Sequence, residues 1–499
     1  MPAQPQFETY SYTARGPLLS AQSIVECRLA DWADNAVLAV CPAVLPVGAE
    51  CASGEVRYSG KLFFSAVAAA ADGTLIAAER GVEFSHRTPC EEAVPAATAR
   101  VRLRVDKVET RREGRSCILS AIVTAEICLF VPSQLQYLAG GEGVVCDFAP
   151  VRIGKSEFCS GTFSLEEEFD TDYVGDILLH SEQVVPTRVA ACAGYLDVSG
   201  EILLNVLGKR EGENEPVSYE RQIPFRAEIP CEGAESGMPC RVQVRAEEVS
   251  LTASCDEEKD RCRILAAVTA SVSGEVLRAD ELQMARDAFA PGFACRLERA
   301  RIACREPACS FTAAERVSGE AAVVEGELGK DDSLSAAALA EAECTAACGE
   351  GELSVEGAVH ASLFCKGEDG MPKCVRIALP FAFPVRCDRA HAGDAAEVTC
   401  CCQGVSVRRR GGGIEAECSL RLFCTLTSSQ ESEYVSDLSV GEEVREERGA
   451  VEVFFAAAGD TLWEIAKKMQ CSPEALKESC PGMEFPLSGS ERIVVWRGR

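Results

Sequence analysis

Histidine is almost missing from this sequence: four residues in 499, at His86, His180, His360 and His391, are too scattered to build a proton relay or a metal cage. Basic residues are the minority, 50 against 78 acidic, and the resulting charge of -28 repels nucleic acid and anionic membranes. No direct membrane insertion is expected, because the most apolar stretch, Leu62 to Ala71, falls well short of the roughly 20 residues that span a bilayer. A basic start followed by an apolar run is also lacking, so a protein that stays inside the cell is expected. C-x-x-C never occurs, and the nearest pairs, Cys304 with Cys309 and Cys344 with Cys348, lack the knuckles and histidines of a zinc site. No metal or other cofactor is expected. The "GKS" at Gly154 to Ser156 follows Ala149 where a P-loop needs glycine, no nucleophile motif accompanies a histidine, and no acid and base pair stands out among the carboxylates. The reading is a protein that is not an enzyme.

Cysteine, by contrast, is abundant at 28 residues. In Ile414 to Leu426 the residues Cys418 and Cys424 share the apolar face of a period-2 pattern with Ile414, Ala416, Leu420, Leu422 and Leu426, which makes them small core residues. Cys400, Cys401 and Cys402 are consecutive and so cannot converge on one ion from a strand; cross-linking between chains through them is the alternative.

One pattern recurs three times. "GEVRYSG" (Gly54 to Gly60), "GYLDVSG" (Gly194 to Gly200) and "GELSVEG" (Gly351 to Gly357) are each followed by a phenylalanine, Phe84, Phe225 or Phe381, and six residues later by a cysteine, Cys90, Cys231 or Cys387. Alternating strands such as "RVRLRV" and a hairpin signal follow each copy, and Cys146 to Cys159 parallels Cys295 to Cys309. The fold class expected is mainly β: three tandem sandwich-like repeats at 20–138, 145–284 and 294–430, after an N-terminal tail at 1–19. The repeats serve either as assembly surfaces or as a rod that spaces the ends apart. An acidic linker is expected at 431–449, where Glu431, Glu433, Asp437, Glu442, Glu443, Glu446 and Glu447 dominate.

The last segment, 450–499, divides into strand, helix, helix and strand. Val451, Val453 and Phe455 alternate with Glu452 and Phe454; Thr461 and Glu464 form a capping box, and Leu462, Ile465, Ala466 and Met469 make one helical stripe. Ser472 and Pro473 start a second helix. "GDTLWEIAKKM", Gly459 to Met469, resembles the LysM domain, an α+β (β-α-α-β) fold. The resemblance implies recognition of N-acetylglucosamine polymers by Ala458, Gly459, Asp460 and Thr461 on one loop and Pro481, Gly482 and Met483 on another. Cys480 stands where the family often has asparagine, which removes a loop-fixing amide. Trp463 either docks a partner or fills a gap against the rest of the chain, and Lys467, Lys468 and Met483 are the other surface positions expected to touch a partner.

Three such repeats followed by an acidic linker and one LysM module resemble the SPOCS-repeat spore coat proteins of the SipL type. That resemblance implies a spore coat assembly protein of the mother-cell cytoplasm, recruited to the forespore surface. Its LysM module would bind the coat-basement ATPase, stage IV sporulation protein A, and its repeats would gather other coat protein. A cell-wall protein that binds peptidoglycan is the alternative.

Overall fold

A computed structural model describes residues 3–172, 176–209, 215–256, 261–410, 413–444 and 451–496. Its first eighteen strands fall into three units of six. Unit 1 holds β1 (Gln4–Leu29), β2 (Ala36–Ala52), β3 (Glu55–Ala69), β4 (Leu75–Pro89), β5 (Thr98–Glu113) and β6 (Ser116–Glu142). Unit 2 holds β7 (Val145–Asp172), β8 (Asp176–Cys192), β9 (Tyr195–Lys209), β10 (Pro216–Pro230), β11 (Cys240–Asp256) and β12 (Arg261–Phe289). Unit 3 holds β13 (Phe293–Glu325), β14 (Ser333–Cys348), β15 (Glu352–Lys366), β16 (Pro372–Arg386), β17 (Ala395–Arg410) and β18 (Gly413–Glu443).

Each unit has one connectivity. The second, third and fourth strands form an antiparallel meander, while the first and fifth flank the sixth in a second sheet. In unit 3 the two sheets also join where Ala322 pairs with Ala378, so they run on as one six-stranded sheet. Between the two sheets of each unit lies its own core: Leu62, Phe64, Leu119 and Ile127 in unit 1, Leu196, Ile202, Val268 and Val272 in unit 2, Leu353, Leu363, Leu420 and Leu422 in unit 3. The mainly β class expected from period-2 patterning is what the chain adopts.

The recurring motif is the bracket that closes this sandwich. Its first glycine sits in the left-handed region at the turn into the third strand, with φ of 80° at Gly54, 83° at Gly194 and 80° at Gly351. Its second glycine is the direct cross-strand neighbour of the motif phenylalanine, in the pairs Gly60 with Phe84, Gly200 with Phe225 and Gly357 with Phe381. The ring lies over the bare Cα, and a Cβ would stand 2.6 Å from Phe84 or Phe225 and 2.9 Å from Phe381. The cysteine then ties the end, its N–H donating to the first glycine's carbonyl at 2.9 Å (Cys90), 2.8 Å (Cys231) and 3.0 Å (Cys387). The fixed spacing follows from the hairpin length between turn, ring and tie.

The units are not strung in a row. The far halves of the long first and sixth strands converge, bringing Leu135 and Tyr137 of unit 1, Val151, Ile153 and Met284 of unit 2, and Ile302 and Tyr434 of unit 3 into one cluster. The three meanders meet in another, through Val67 and Leu75, Leu179 and Leu207, and Ala338 and Phe364. Both clusters draw on all three units, so the units close around a common axis. Polar ties reinforce the seams. Lys209 Nζ donates to the Leu75 carbonyl at 2.8 Å, and the Gln183 amide pairs with Ala340 O at 2.8 Å and Cys402 N at 3.0 Å as a strand would. A rod that spaces the ends apart is therefore not the arrangement found.

Two boundaries differ from the sequence expectation. From Gln4 onward the expected tail at 1–19 is strand β1, paired as far as Gln4 with Glu142 of β6. Most of the expected acidic linker is strand too: residues 431–443 end β18, and Glu433 faces Arg301 of β13 across the ladder. The charge that suggested a linker belongs to the solvated positions of a strand that buries Tyr434 in one cluster and Val435 and Leu438 in another. Residues 445–450 lie outside the described residues.

The C-terminal module consists of β19 (Val451–Ala456), α1 (Leu462–Lys468), α2 (Pro473–Ser479) and β20 (Glu491–Trp496). Ala456, Ile465, Ala466, Met469, Leu476, Leu487, Ile493 and Val495 make its core. Thr461 and Glu464 form the reciprocal capping box, and Ser472 caps α2 with Pro473 in its first turn.

Candidate interaction site

The first of the two loops that the LysM resemblance singles out is held by backbone bonds to Leu487. Gly459 N donates to Leu487 O at 2.8 Å and Leu487 N to Asp460 O at 3.1 Å, which ties the turn after β19 to the segment before β20. Ala458, Gly459 and Thr461 are exposed, as are Pro481 and Gly482, while Asp460 and Met483 are half-buried. Asp460 accepts from Ala457 N at 2.9 Å, so this carboxylate is already engaged in shaping its own turn. Cys480 ends α2, and Met483 N bonds its carbonyl at 3.3 Å. Backbone thus fixes the loop where an asparagine amide would otherwise do so. The Cys480 thiol joins the rim of the module's core, where burial pushes it above its usual range.

Trp463 and Lys467 face elsewhere. One turn apart on α1, they reach a single carboxylate of unit 2: Trp463 Nε1 donates to Asp287 Oδ2 at 2.8 Å, and Lys467 Nζ lies 2.7 Å from Oδ1 and 2.6 Å from Oδ2. The Trp463 indole packs edge-on against Phe289, with ring centroids 5.4 Å apart. Gln470 Oε1 takes a hydrogen bond from Gly292 N at 3.1 Å. Of the two uses expected for Trp463, the structure shows the packing one. Trp463 and Lys467 do not join the loop residues in one open face; they are the module's anchor on the repeats.

Sequence reasoning did not find the other half of this anchor. Asp287 stands in an apolar strand end among Ala285, Ala288 and Phe289, and a register slip between Ala285 and Asp287 marks a bulge at Arg286. An isolated acid in a buried run was the available signal. Arg299 adds a second cation at 3.2 Å. Burial works to raise the Asp287 pKa, but the Lys467 and Trp463 hydrogen bonds outweigh it and hold the carboxyl below the usual aspartate range.

Strand β19 forms as the alternation predicts. Val451, Val453 and Phe455 point outward, with Phe455 77% exposed, and Phe454 and Ala456 face the core. The outward side chains leave an apolar stripe on the module, on β19 beside the loops.

Two residues of the cysteine triplet are shielded from bonds between chains and the third is half-buried. Cys401 and Cys402 are each only 3% exposed, and Cys400 meets Cys344 across the sandwich. Burial pushes the Cys401 thiol up to about 12. Cys262 is disulfide-bonded, so not every cysteine is a free thiol. Among the described residues no three His, Cys, Asp or Glu side chains are placed to hold a metal ion. Gly154, Lys155 and Ser156 lie within strand β7, where Lys155 pairs with Asp280, which is no phosphate-binding loop. No described helix is long and apolar enough to cross a membrane.

Residues 174–254 match the protein family described as SipL, SPOCS domain. No curated protein and no solved structure matches the chain. The match covers the span from β8 to β11, which contains the glycine, phenylalanine and cysteine bracket of unit 2. It relates the chain to the SipL type and to sporulation and the spore coat.

Proposed function

We propose that the protein is a non-enzymatic adaptor in spore coat assembly. The closed set of three units forms the platform, and the C-terminal module, a LysM-like fold, docks onto a coat-basement ATPase of the stage IV sporulation protein A type. In this reading the protein works in the mother-cell cytoplasm, is recruited to the forespore surface, and its units gather further coat protein. The SPOCS match at residues 174–254 carries the proposal. With Trp463 and Lys467 turned toward Asp287, the partner's contact falls on Ala458 to Thr461, Pro481 to Met483 and the Val451, Val453 and Phe455 stripe.

Affinity capture with the full chain from sporulating cells tests this reading. The coat ATPase is expected in the eluate, and Ala458→Arg or Phe455→Arg is expected to remove it. The second reading, N-acetylglucosamine polymer binding as in a cell-wall protein, is favoured by the exposure of the same two loops. Eluates without coat protein, together with saturable binding of N-acetylglucosamine oligomers at millimolar concentration, would replace the first reading by the second.

A further inference from the structure

In units 2 and 3 the motif cysteine has a second neighbour besides its glycine. Cys387, which follows β16, has its sulfur 3.8 Å from that of Cys309 on β13, so the contact joins the meander to the other sheet. In unit 2 Cys231, which follows β10, and Cys159 on β7 are buried in the same core cluster, where burial and the neighbouring Cys231 together push the Cys159 thiol up. Cys159 and Cys309 close the two segments, Cys146 to Cys159 and Cys295 to Cys309, that parallel each other in sequence. The same pair has therefore been kept at the same place in two diverged units. Unit 1 lacks it: Cys90 donates to Glu92 at 3.3 Å, and β1 carries its cysteine, Cys27, near Cys117 instead.

A thiol contributes to a core as a small hydrophobe, and one cysteine per site would suffice for that. Two on opposite sheets, at contact distance in unit 3 and in one core cluster at the matching place in unit 2, are a cross-link held open. We infer that Cys309 with Cys387, and Cys159 with Cys231, are latent intrachain disulfides that brace the two sheets of units 3 and 2 when the protein meets a disulfide oxidant.

The chemistry balances with a small-molecule disulfide such as oxidised glutathione. One protein thiolate attacks it, forming a mixed disulfide and releasing one small thiol; the second protein thiolate displaces the other. Two protein thiols lose two electrons and two protons in total, and the oxidant leaves as two thiols. Cys309 and Cys387 are both half-buried whereas Cys159 and Cys231 are buried, so unit 3 closes first. Burial and the neighbouring thiol push Cys309 up to about 11, which makes the reaction slow near neutral pH and about tenfold faster per pH unit below that value.

The test keeps the full chain folded in glutathione buffers of increasing oxidation, alkylates remaining thiols after unfolding, and reads digested peptides by mass spectrometry. A peptide pair joining Cys309 to Cys387, lighter by two hydrogen atoms than the two thiol forms, is expected first, and Cys159 to Cys231 later. The oxidised chain should unfold at higher temperature, reversibly with dithiothreitol, and neither Cys387→Ser nor Cys309→Ala should show the shift in unit 3. Full alkylation of Cys309 and Cys387 at the most oxidising ratio would overturn the inference. So would linkage of either to another cysteine, or a dominant Cys344 to Cys400 bond with these two left free.

Discussion

Strands β18 and β19 carry the same signal and use it in opposite ways. In β18, Ile414, Ala416, Cys418, Leu420, Leu422, Cys424 and Leu426 alternate with polar residues and every one is buried. In β19, Val451, Val453 and Phe455 alternate as regularly and every one is outward, because α1 and α2 cover the face that carries Phe454 and Ala456. A period of two assigns residues to faces; only the neighbouring layer decides which face is inside. A unit of some 140 residues has a second sheet to make that choice, while a module of about fifty has two short helices and one face to cover.

The sharpest way to break the comparison is at the bracket. Gly357→Val drives a side chain into the Glu343 carbonyl and the Phe381 ring, and it should cost roughly 4 kcal/mol or more, seen as loss of cooperative unfolding of unit 3. Gly114→Ala, at a turn with φ of 60° and open space, should cost only about 1 kcal/mol. Next comes Phe225→Ala, which removes a buried ring and uncovers Gly200; about 3–4 kcal/mol is expected in denaturant titration.

The third test sets the two faces of the module against each other. Ile465→Ala should destabilise it by about 2–4 kcal/mol, whereas Phe455→Ser should stay within about 0.5 kcal/mol while improving solubility. If Phe455→Ser melts the module, β19 is turned the other way. The smallest effect concerns the anchor. Asp287→Asn leaves the indole a partner but removes the charge facing Lys467 and Arg299, and should cost about 1–2 kcal/mol of docking, read from the local fluorescence of Trp463 or from hydrogen exchange in α1. Because the folded pKa of Asp287 is depressed, its contribution is fully present above the ordinary aspartate value near pH 4. It is lost only as pH falls through the lower folded value, so docking should survive mild acid.

Much of this was legible in the residues, and the exceptions have physical causes. The bracket could be read because glycine, phenylalanine and cysteine recur at fixed spacing, and that spacing is a hairpin's length. The acidic end of β18 was misread because Glu431, Glu433 and Asp437 dominate the composition, while the buried Tyr434, Val435 and Leu438 are divided between two clusters and leave no clean period of two. The cap at Thr461 was legible because it is local; the anchor at Asp287 was not, because its partners lie 176 and 180 positions away. The turn at Gly459 and Asp460 is tied to Leu487, but Trp463 and Lys467, on the helix that follows, turn toward unit 2.

The account depends most on the closure of three units around one axis, since that separates a platform from a spacer. Small-angle scattering of the full chain measures it directly. A radius of gyration close to the roughly 23 Å of a compact chain of this length, with a single-peaked distance distribution, is the predicted result. A long, skewed distribution, with a maximum dimension that matches three sandwiches laid end to end, would contradict it.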